Sequence, residues 1–151
     1  MRFGNALALL LLLFAAAACS TLTLKPAEYA WPIENALKVD VKGNVVEQRY
    51  SFTLNVKPLF FEEFKDSTNY IGKEIRIIRD KVGYYFITAK EFKNVYVFKT
   101  IESGMALENK ILISEQKGLT APAFNQKTPN IELLDNPNKY LLNYKGLMRQ
   151  K

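Results

Sequence analysis

Between Leu37 and Val56 the chain alternates apolar and polar residues almost without a break. Leu37, Val39 and Val41 are separated by Lys38 and Asp40. After Gly43-Asn44, the row Val46, Gln48, Tyr50, Phe52, Leu54, Val56 is interleaved with Glu47, Arg49, Ser51, Thr53 and Asn55. A period of two sends alternate side chains to opposite faces, so the pattern predicts strands with one buried face and excludes a helix there. Gly-Asn supplies the positive φ that a primed turn requires, which predicts a hairpin. Pairing Lys42 with Val45 sets Val41 against Val46, Val39 against Gln48 and Leu37 against Tyr50, with nearly all apolar groups on one face. The other face opposes Lys38 to Arg49 and Asp40 to Glu47. The diagonals Lys42–Glu47 and Asp40–Arg49 offset those like-charge contacts. Gln48 is the odd member of the apolar row and marks a bulge or a strand end.

Further strands follow. Pro58 stops the first series, and Leu59–Phe64 is too short to classify as helix or edge. Ile75–Ile78 and Tyr84–Thr88, joined by Asp80-Lys81-Val82-Gly83, form a second predicted hairpin. Thr88-Ala89-Lys90-Glu91 has the spacing of a capping box, predicting a short helical turn before Val95–Ile101. Gly104 breaks the chain, and Lys110–Ser114 makes a last strand. Tyr84–Ile87 and Val95–Phe98 are apolar on both faces, so each must be covered on both sides. The expectation is an all-β domain over residues 36–115: a small antiparallel sandwich or barrel of about six to seven strands.

Residues 116–151 differ in texture. Pro122, Pro129 and Pro137 interrupt them, and Lys117, Lys127, Lys139, Lys145, Arg149 and Lys151 face only Glu132 and Asp135. They read as an irregular, Pro-interrupted basic tail. Ile131–Leu134 and Tyr140–Tyr144 are apolar enough to dock on the body or on a partner. On this reading, removing residues 136–151 leaves the β-domain folded.

The first residues speak to location. Arg2 and the amino terminus precede an unbroken apolar run, Ala6–Ala18. Thirteen helical residues at about 1.5 Å each cover about 20 Å, short of a hydrocarbon core of about 30 Å. The segment 1–18 therefore reads as an export signal. Ala16-Ala17-Ala18 leads directly to Cys19, the single cysteine of the chain. This stretch resembles the lipobox of bacterial lipoproteins, with Ala16 where the consensus most often has Leu. The resemblance covers the first twenty or so residues and implies cleavage between Ala18 and Cys19, with the Cys19 sulfur carrying a diacylglycerol. It also implies a cell-envelope, periplasm-facing protein. Ser20 in place of the Asp that favours inner-membrane retention in enterobacterial members points to the outer membrane. Residues 19–35 are then a lipid-attached leader.

Composition narrows the chemistry. The 151 residues suit one domain and contain no His. That excludes Ser-His-Asp and Cys-His catalysis and His-ligated zinc. One Cys excludes internal disulfides and thiolate clusters. The net charge of +6 raises nucleic acid as a partner, but export argues against it. Lys139, Lys145, Arg149 and Lys151 are candidate contacts to an anionic surface. Glu62, Glu63 and Asp66 offer an acid–base pair, although adjacent carboxylates on an extended chain point apart. Ser67 and Ser103 offer a Ser-Lys pair that spacing alone does not place. No clustered metal-binding loop stands out, so no metal or other cofactor is expected. Ten aromatic residues lie between Phe60 and Phe98. Phe60, Phe61 and Phe64, with Trp31 near the anchor, are the candidate partner or ligand surface. The expected function is a membrane-anchored, non-enzymatic binding or scaffold module for an envelope protein. A carrier of a lipid-like apolar ligand is the alternative, and a small carboxylate enzyme the lesser one.

Cys19→Ala is expected to leave the precursor uncleaved and unlipidated. Immunoblotting of fractionated cells checks this, and normal processing with unchanged membrane retention would refute the lipobox assignment.

Overall fold

The computed structural model describes residues 34–49 and 51–148. Ala18, Cys19, Trp31, Arg149 and Lys151 lie outside the described residues. In order, the elements are β1 (Asn35–Lys38), β2 (Asn44–Glu47), β3 (Phe52–Asn55), α1 (Lys57–Phe64), β4 (Glu74–Arg79), β5 (Tyr85–Ala89), β6 (Asn94–Ile101) and β7 (Gly104–Leu112). These are followed by β8 (Ala123–Lys127), β9 (Asn130–Asp135), β10 (Asn138–Asn143) and β11 (Gly146–Leu147). The fold is all-β apart from α1, and every pairing is antiparallel. A five-stranded sheet, β1-β4-β5-β6-β7, accompanies a four-stranded sheet, β11-β10-β9-β8, and the two-stranded ribbon β2-β3. These open sheets make a sandwich rather than a barrel.

The five-stranded sheet is the middle layer because its strands are apolar on both faces. Ile77, Ile87 and Tyr96 line up on one face, where Val45, Val56, Phe60 and Phe92 cover them. Ile78, Phe86 and Val97 line up on the other, against Phe124, Ile131, Leu133 and Leu142. The prediction that Tyr84–Ile87 and Val95–Phe98 are covered on both sides is correct. All five residues of β5 are buried.

The first hairpin is not the predicted one. β1 pairs with β4, placing Leu37 opposite Ile75, and β2 pairs with β3, placing Val45 opposite Leu54. Asp40–Gly43 is a turn rather than strand. Asp40 Oδ1 accepts the Lys42 and Asn44 N–H groups, both at 2.8 Å. Inserting that turn flips β2 by one residue, and in a period-two strand this exchanges the faces. Val46 and Val41 point to solvent, 57% and 76% exposed, while Val45 and Glu47 point inward. Gln48 does mark a strand end, since β2 stops at Glu47.

The buried Glu47 is held by Asn35 Nδ2 at 2.8 Å and by Arg49 through its backbone N–H (3.0 Å), Nε (3.1 Å) and Nη2 (3.1 Å). Those bonds fasten the β2-β3 ribbon to the edge strand β1. Burial alone would raise the Glu47 pKa, but the hydrogen bonds from Arg49 and Asn35 outweigh it and lower the value. Pro58 sits in the first turn of α1, where a missing N–H costs nothing. The expected helical turn after Thr88 is a tight turn instead, with Glu91 at φ 72° and Phe92 N–H bonded to the Ala89 carbonyl.

The larger correction concerns residues 116–151, which hold a whole sheet rather than an irregular tail. Pro129 and Pro137 occupy two of its three hairpin turns, and β9 alternates cleanly, with Ile131, Leu133 and Asp135 inward. Leu119 docks the connection by exchanging backbone hydrogen bonds with Glu91 (2.7 Å) and Phe92 (2.8 Å). Gly118 makes that approach possible, because a methyl group there would overlap the Glu91 carbonyl. The four-stranded sheet packs Phe124, Ile131, Leu133 and Leu142 against one face of the middle layer, so residues 136–148 belong to the packed core rather than to a tail.

Two stability predictions follow from this packing. Leu142→Ala, at a fully buried position, is expected to cost about 2–5 kcal/mol in urea unfolding. Deletion of 136–151 is expected to abolish the cooperative thermal transition, and a retained sharp transition would show the C-terminal sheet to be independent of the core.

Candidate functional site

Two of the acidic candidates join α1 to the middle sheet, and the third fixes a local turn. Glu63 accepts hydrogen bonds from Lys93 N–H, Asn94 Nδ2 and Tyr96 Oη, each at 2.8 Å, tying α1 to β6. Tyr96 is pushed far above its usual pKa, chiefly by burial and next by its bond to Glu63. Glu62 points the other way, to Lys110 at 2.7 Å and Lys65 at 3.1 Å, whose hydrogen bonds hold its carboxyl below the usual range. Asp66 Oδ1 takes the Thr68 N–H and hydroxyl, both at 2.8 Å. These three carboxylates bond to different partners and do not converge on one point. Ser67 and Ser103 lie exposed in turns. Among the described residues, no three His, Cys, Asp or Glu side chains gather as a metal-holding group.

The aromatic candidates separate by depth. Phe60 is fully buried, with its ring edge-on to Phe92 at 4.9 Å, so it offers no surface. Phe64 is partly buried against Phe92 at 5.7 Å, and Lys73 Nζ lies 4.5 Å from its ring centre. Phe61 alone of the three is exposed, at 51%. The helix produces this split, since consecutive positions lie about 100° apart and the three cannot share a face with solvent.

Sequence reasoning missed the apolar pocket beside that helix. Leu54 and Val56 from the end of β3, Pro58 and Leu59 from the start of α1, and Ile87, Phe98 and Met105 from the middle sheet enclose about 160 Å³. Phe61 lies three residues from Pro58, on a neighbouring strip of the same helix. The pocket exists because the ribbon β2-β3 is only four residues deep and stops short of the projecting β6-β7 hairpin. The one legible signal was Pro58, which starts a helix where the alternation ends.

A larger cleft of about 630 Å³ opens at the far end of the sandwich. Lys73, Glu74, Arg76, Lys90 and Glu91 line one wall and Thr120–Ala123 the other. Its charges are largely spent on one another: Lys73 pairs with Glu91 at 2.9 Å, and Arg76 with Glu74 at 3.0 Å and Glu34 at 3.3 Å. Glu34 also accepts the Phe124 N–H at 2.7 Å, joining the two sheets. Burial raises its pKa despite those contacts.

The basic candidates do not form one patch. Lys139 stands at the start of β10 and Lys145 beyond its end, six residues or about 20 Å of strand away. Lys145 Nζ lies 5.5 Å from the Tyr144 ring centre, and that ring stacks on Tyr84 at 4.4 Å.

No protein-family model matches the chain, no curated protein is similar to it, and no solved structure matches it.

The carboxylates predict an acid response. Asp40, Glu47, Glu62, Asp66 and Glu91 all have lowered values in the folded chain. Their stabilisation is present above the ordinary values of 3.8 and 4.5 and is lost as pH falls through the folded ones. Glu34, with a raised value, opposes this, contributing stability as pH falls. The exposed groups contribute little and the buried Glu47 most, so stability is expected to fall as pH drops below about 4. Urea midpoints against pH check it, and Glu47→Gln is expected to flatten the curve.

Proposed function

We propose that this protein is a lipid-anchored envelope module that grips a partner protein by seating one of the partner's apolar side chains in the pocket between β3, α1 and the β6-β7 hairpin. The observation that carries the reading is the pocket itself: about 160 Å³, walled by Leu54, Val56, Pro58, Leu59, Ile87, Phe98 and Met105. Small-molecule sites usually span about 300–1,000 Å³, so this one is sized for a side chain rather than for an acyl chain. Exposed Phe61 beside it extends the apolar contact, as aromatic anchors do at interface centres.

The location rests on the lipobox resemblance at Ala16–Cys19. Two or three acyl chains on Cys19, at about 0.8 kcal/mol per buried methylene, would hold the domain on the membrane almost permanently. The domain then needs only modest affinity, because anchoring concentrates it beside any partner in the same membrane. A carrier would need an enclosed lumen, and the sheets of this sandwich are open. The carboxylates are engaged in the joints between layers, which weighs against the enzyme reading.

The test is extraction of the lipidated protein in mild detergent, with mass spectrometry of what accompanies it, for the native chain and for Met105→Glu. Met105 is a partly buried wall residue, so a charge there makes the pocket polar, and an unchanged thermal transition would show that the fold is kept. A stoichiometric protein that is lost with Met105→Glu is the expected result. A bound apolar small molecule without a protein partner would make the protein a carrier. A partner retained equally by Met105→Glu would remove the pocket from the reading.

A further inference from the structure

The ribbon β2-β3 has one edge that the fold leaves open. Asn44 turns its main chain away from β3: its N–H goes to Asp40 Oδ1 at 2.8 Å, and its carbonyl accepts the Asp40 N–H at 2.9 Å. Asn44 and Asn55 are therefore a non-hydrogen-bonded pair, and such pairs alternate with bonded ones along an antiparallel ladder. The Val56 N–H, bonded to the Gly43 carbonyl at 2.8 Å, has the same phase. Val46 and Thr53 are then the next non-bonded pair, so Thr53 and Asn55 each turn one N–H and one carbonyl to the far side of β3. Both residues are exposed, and among the described residues β3 has no strand neighbour but β2.

That edge faces the apolar pocket. Glu47 of β2 is fastened to Asn35 of β1 at 2.8 Å, and the middle sheet runs β1-β4-β5-β6-β7, so β3 lies on the side of the ribbon toward β6 and β7. The pocket takes Leu54, Asn55 and Val56 from the end of β3, and Phe98 and Met105 from β6 and β7. Neighbouring strands lie about 4.8 Å apart, and residues directly opposite each other project from the same face. In a strand laid along the open edge, the residue opposite Leu54 points inward with Leu54, toward the pocket.

We propose that the occupant of the pocket arrives as a β-strand: an extended segment of the partner pairs with the Thr53–Asn55 edge and seats one apolar side chain in the pocket. The proposal rests on the reading of the pocket as a partner site and adds the form in which the partner is recognised. Main-chain bonds from an added strand supply affinity, and the pocket supplies specificity. The pocket lining carries no charged side chain, while Thr53 and Asn55 face solvent on the outer side. The segment that fits both surfaces alternates apolar and polar residues. A second copy of this chain does not fit edge to edge. Its own β3 is backed by its own middle sheet, and a strand added here must lie over the middle sheet of this one. The occupant is a segment whose inward face is bare before it binds.

The test uses the full chain in neutral detergent micelles and a capped peptide of alternating Thr and Leu with Lys at both ends, followed by amide hydrogen exchange. Saturable binding that slows exchange at the Thr53 and Asn55 amides is expected. Thr53→Pro removes an outward N–H and keeps the ladder to β2, because Pro is accepted at an open edge. It is expected to keep the thermal transition and to weaken the peptide about tenfold. N-methylation blocks one edge of a strand, so the peptide methylated at its Thr residues or the one methylated at its Leu residues, but not both, is expected to lose as much. Binding that is lost with Met105→Glu yet unaffected by Thr53→Pro and by either methylation would refute the strand and keep the pocket. Binding unaffected by Met105→Glu would refute the pocket reading and this proposal with it. Thr53 and Asn55 amides already protected without peptide would show the edge filled by the chain itself, and that result, or no saturable binding at millimolar peptide, would overturn the proposal.

Discussion

Everything in this fold depends on a middle sheet that is apolar on both faces. β5 and β6 bring Phe86, Val95 and Val97 to one side and Ile87 and Tyr96 to the other, so a single covering layer would leave half of their apolar surface wet. Apolar area costs about 25 cal/mol per Å² when left exposed, which makes a two-layer version of this chain untenable. The C-terminal sheet and the ribbon-plus-helix layer are the two answers to one constraint. Neither cover is large enough to stand alone. The four-stranded sheet contributes one inward row per strand, and the ribbon β2-β3 is a pair of four-residue strands of a kind that is marginal in water.

Apolar burial brings the layers together without specifying their orientation, and the joints are made by carboxylates. Glu63 ties α1 to β6, Glu47 ties the ribbon to β1, Glu34 ties β8 to β4, and Asp135 accepts the Thr120 and Ala121 N–H groups where the chain crosses to the C-terminal sheet. Each is a charged acceptor meeting two or more donors, and such bonds are about twice as strong as neutral ones. Among the described residues, Glu34, Glu47, Glu63 and Asp135 are thereby engaged in joints between elements. Removing one member of a joint leaves the other unsatisfied, so these positions are less tolerant of substitution than their partial exposure suggests.

The fold class was legible because it rests on short-range pattern. The doubly apolar runs at Tyr84–Ile87 and Val95–Phe98 can only be covered strands, and the Asp80–Gly83 turn announces its hairpin. Pairing between distant strands was not legible. Leu37 and Val39 read as one arm of a hairpin facing Val46, yet they belong to a strand that pairs with β4, and the turn at Asp40 leaves Val45 rather than Val46 as the inward residue of β2. Glu47 looked like a surface residue because nothing local reveals that Asn35 and Arg49 will satisfy it. The C-terminal sheet was misread for a related reason. Its prolines lie at turns between strands, where Pro is at home, and composition averaged over the segment hid the alternation of Ile131, Leu133 and Asp135. The apolar pocket takes residues from β3, α1, β5, β6 and β7, so it did not exist as a motif.

The pocket lies toward one end of the molecule, and this bears on how an anchored domain would be used. Phe98, the last residue of β6 paired with β5, and Met105, on the part of the β6-β7 hairpin that projects beyond it, both line the pocket. β1 enters the middle sheet at that same end, since Asn35 faces Ile77 and Lys38 faces Glu74. The self-neutralised polar cleft, with Lys73, Glu74, Lys90 and Glu91, occupies the opposite end. Under the proposed anchoring, the fifteen residue steps from Cys19 to Glu34 would span at most about 50 Å. Under that proposal the leader would join the domain at the end where β1 enters the middle sheet, so the pocket would lie nearer the anchor than the self-neutralised cleft does. The direction of β1, a strand of four residues, would then bear on which end of the sandwich meets a partner in the same membrane.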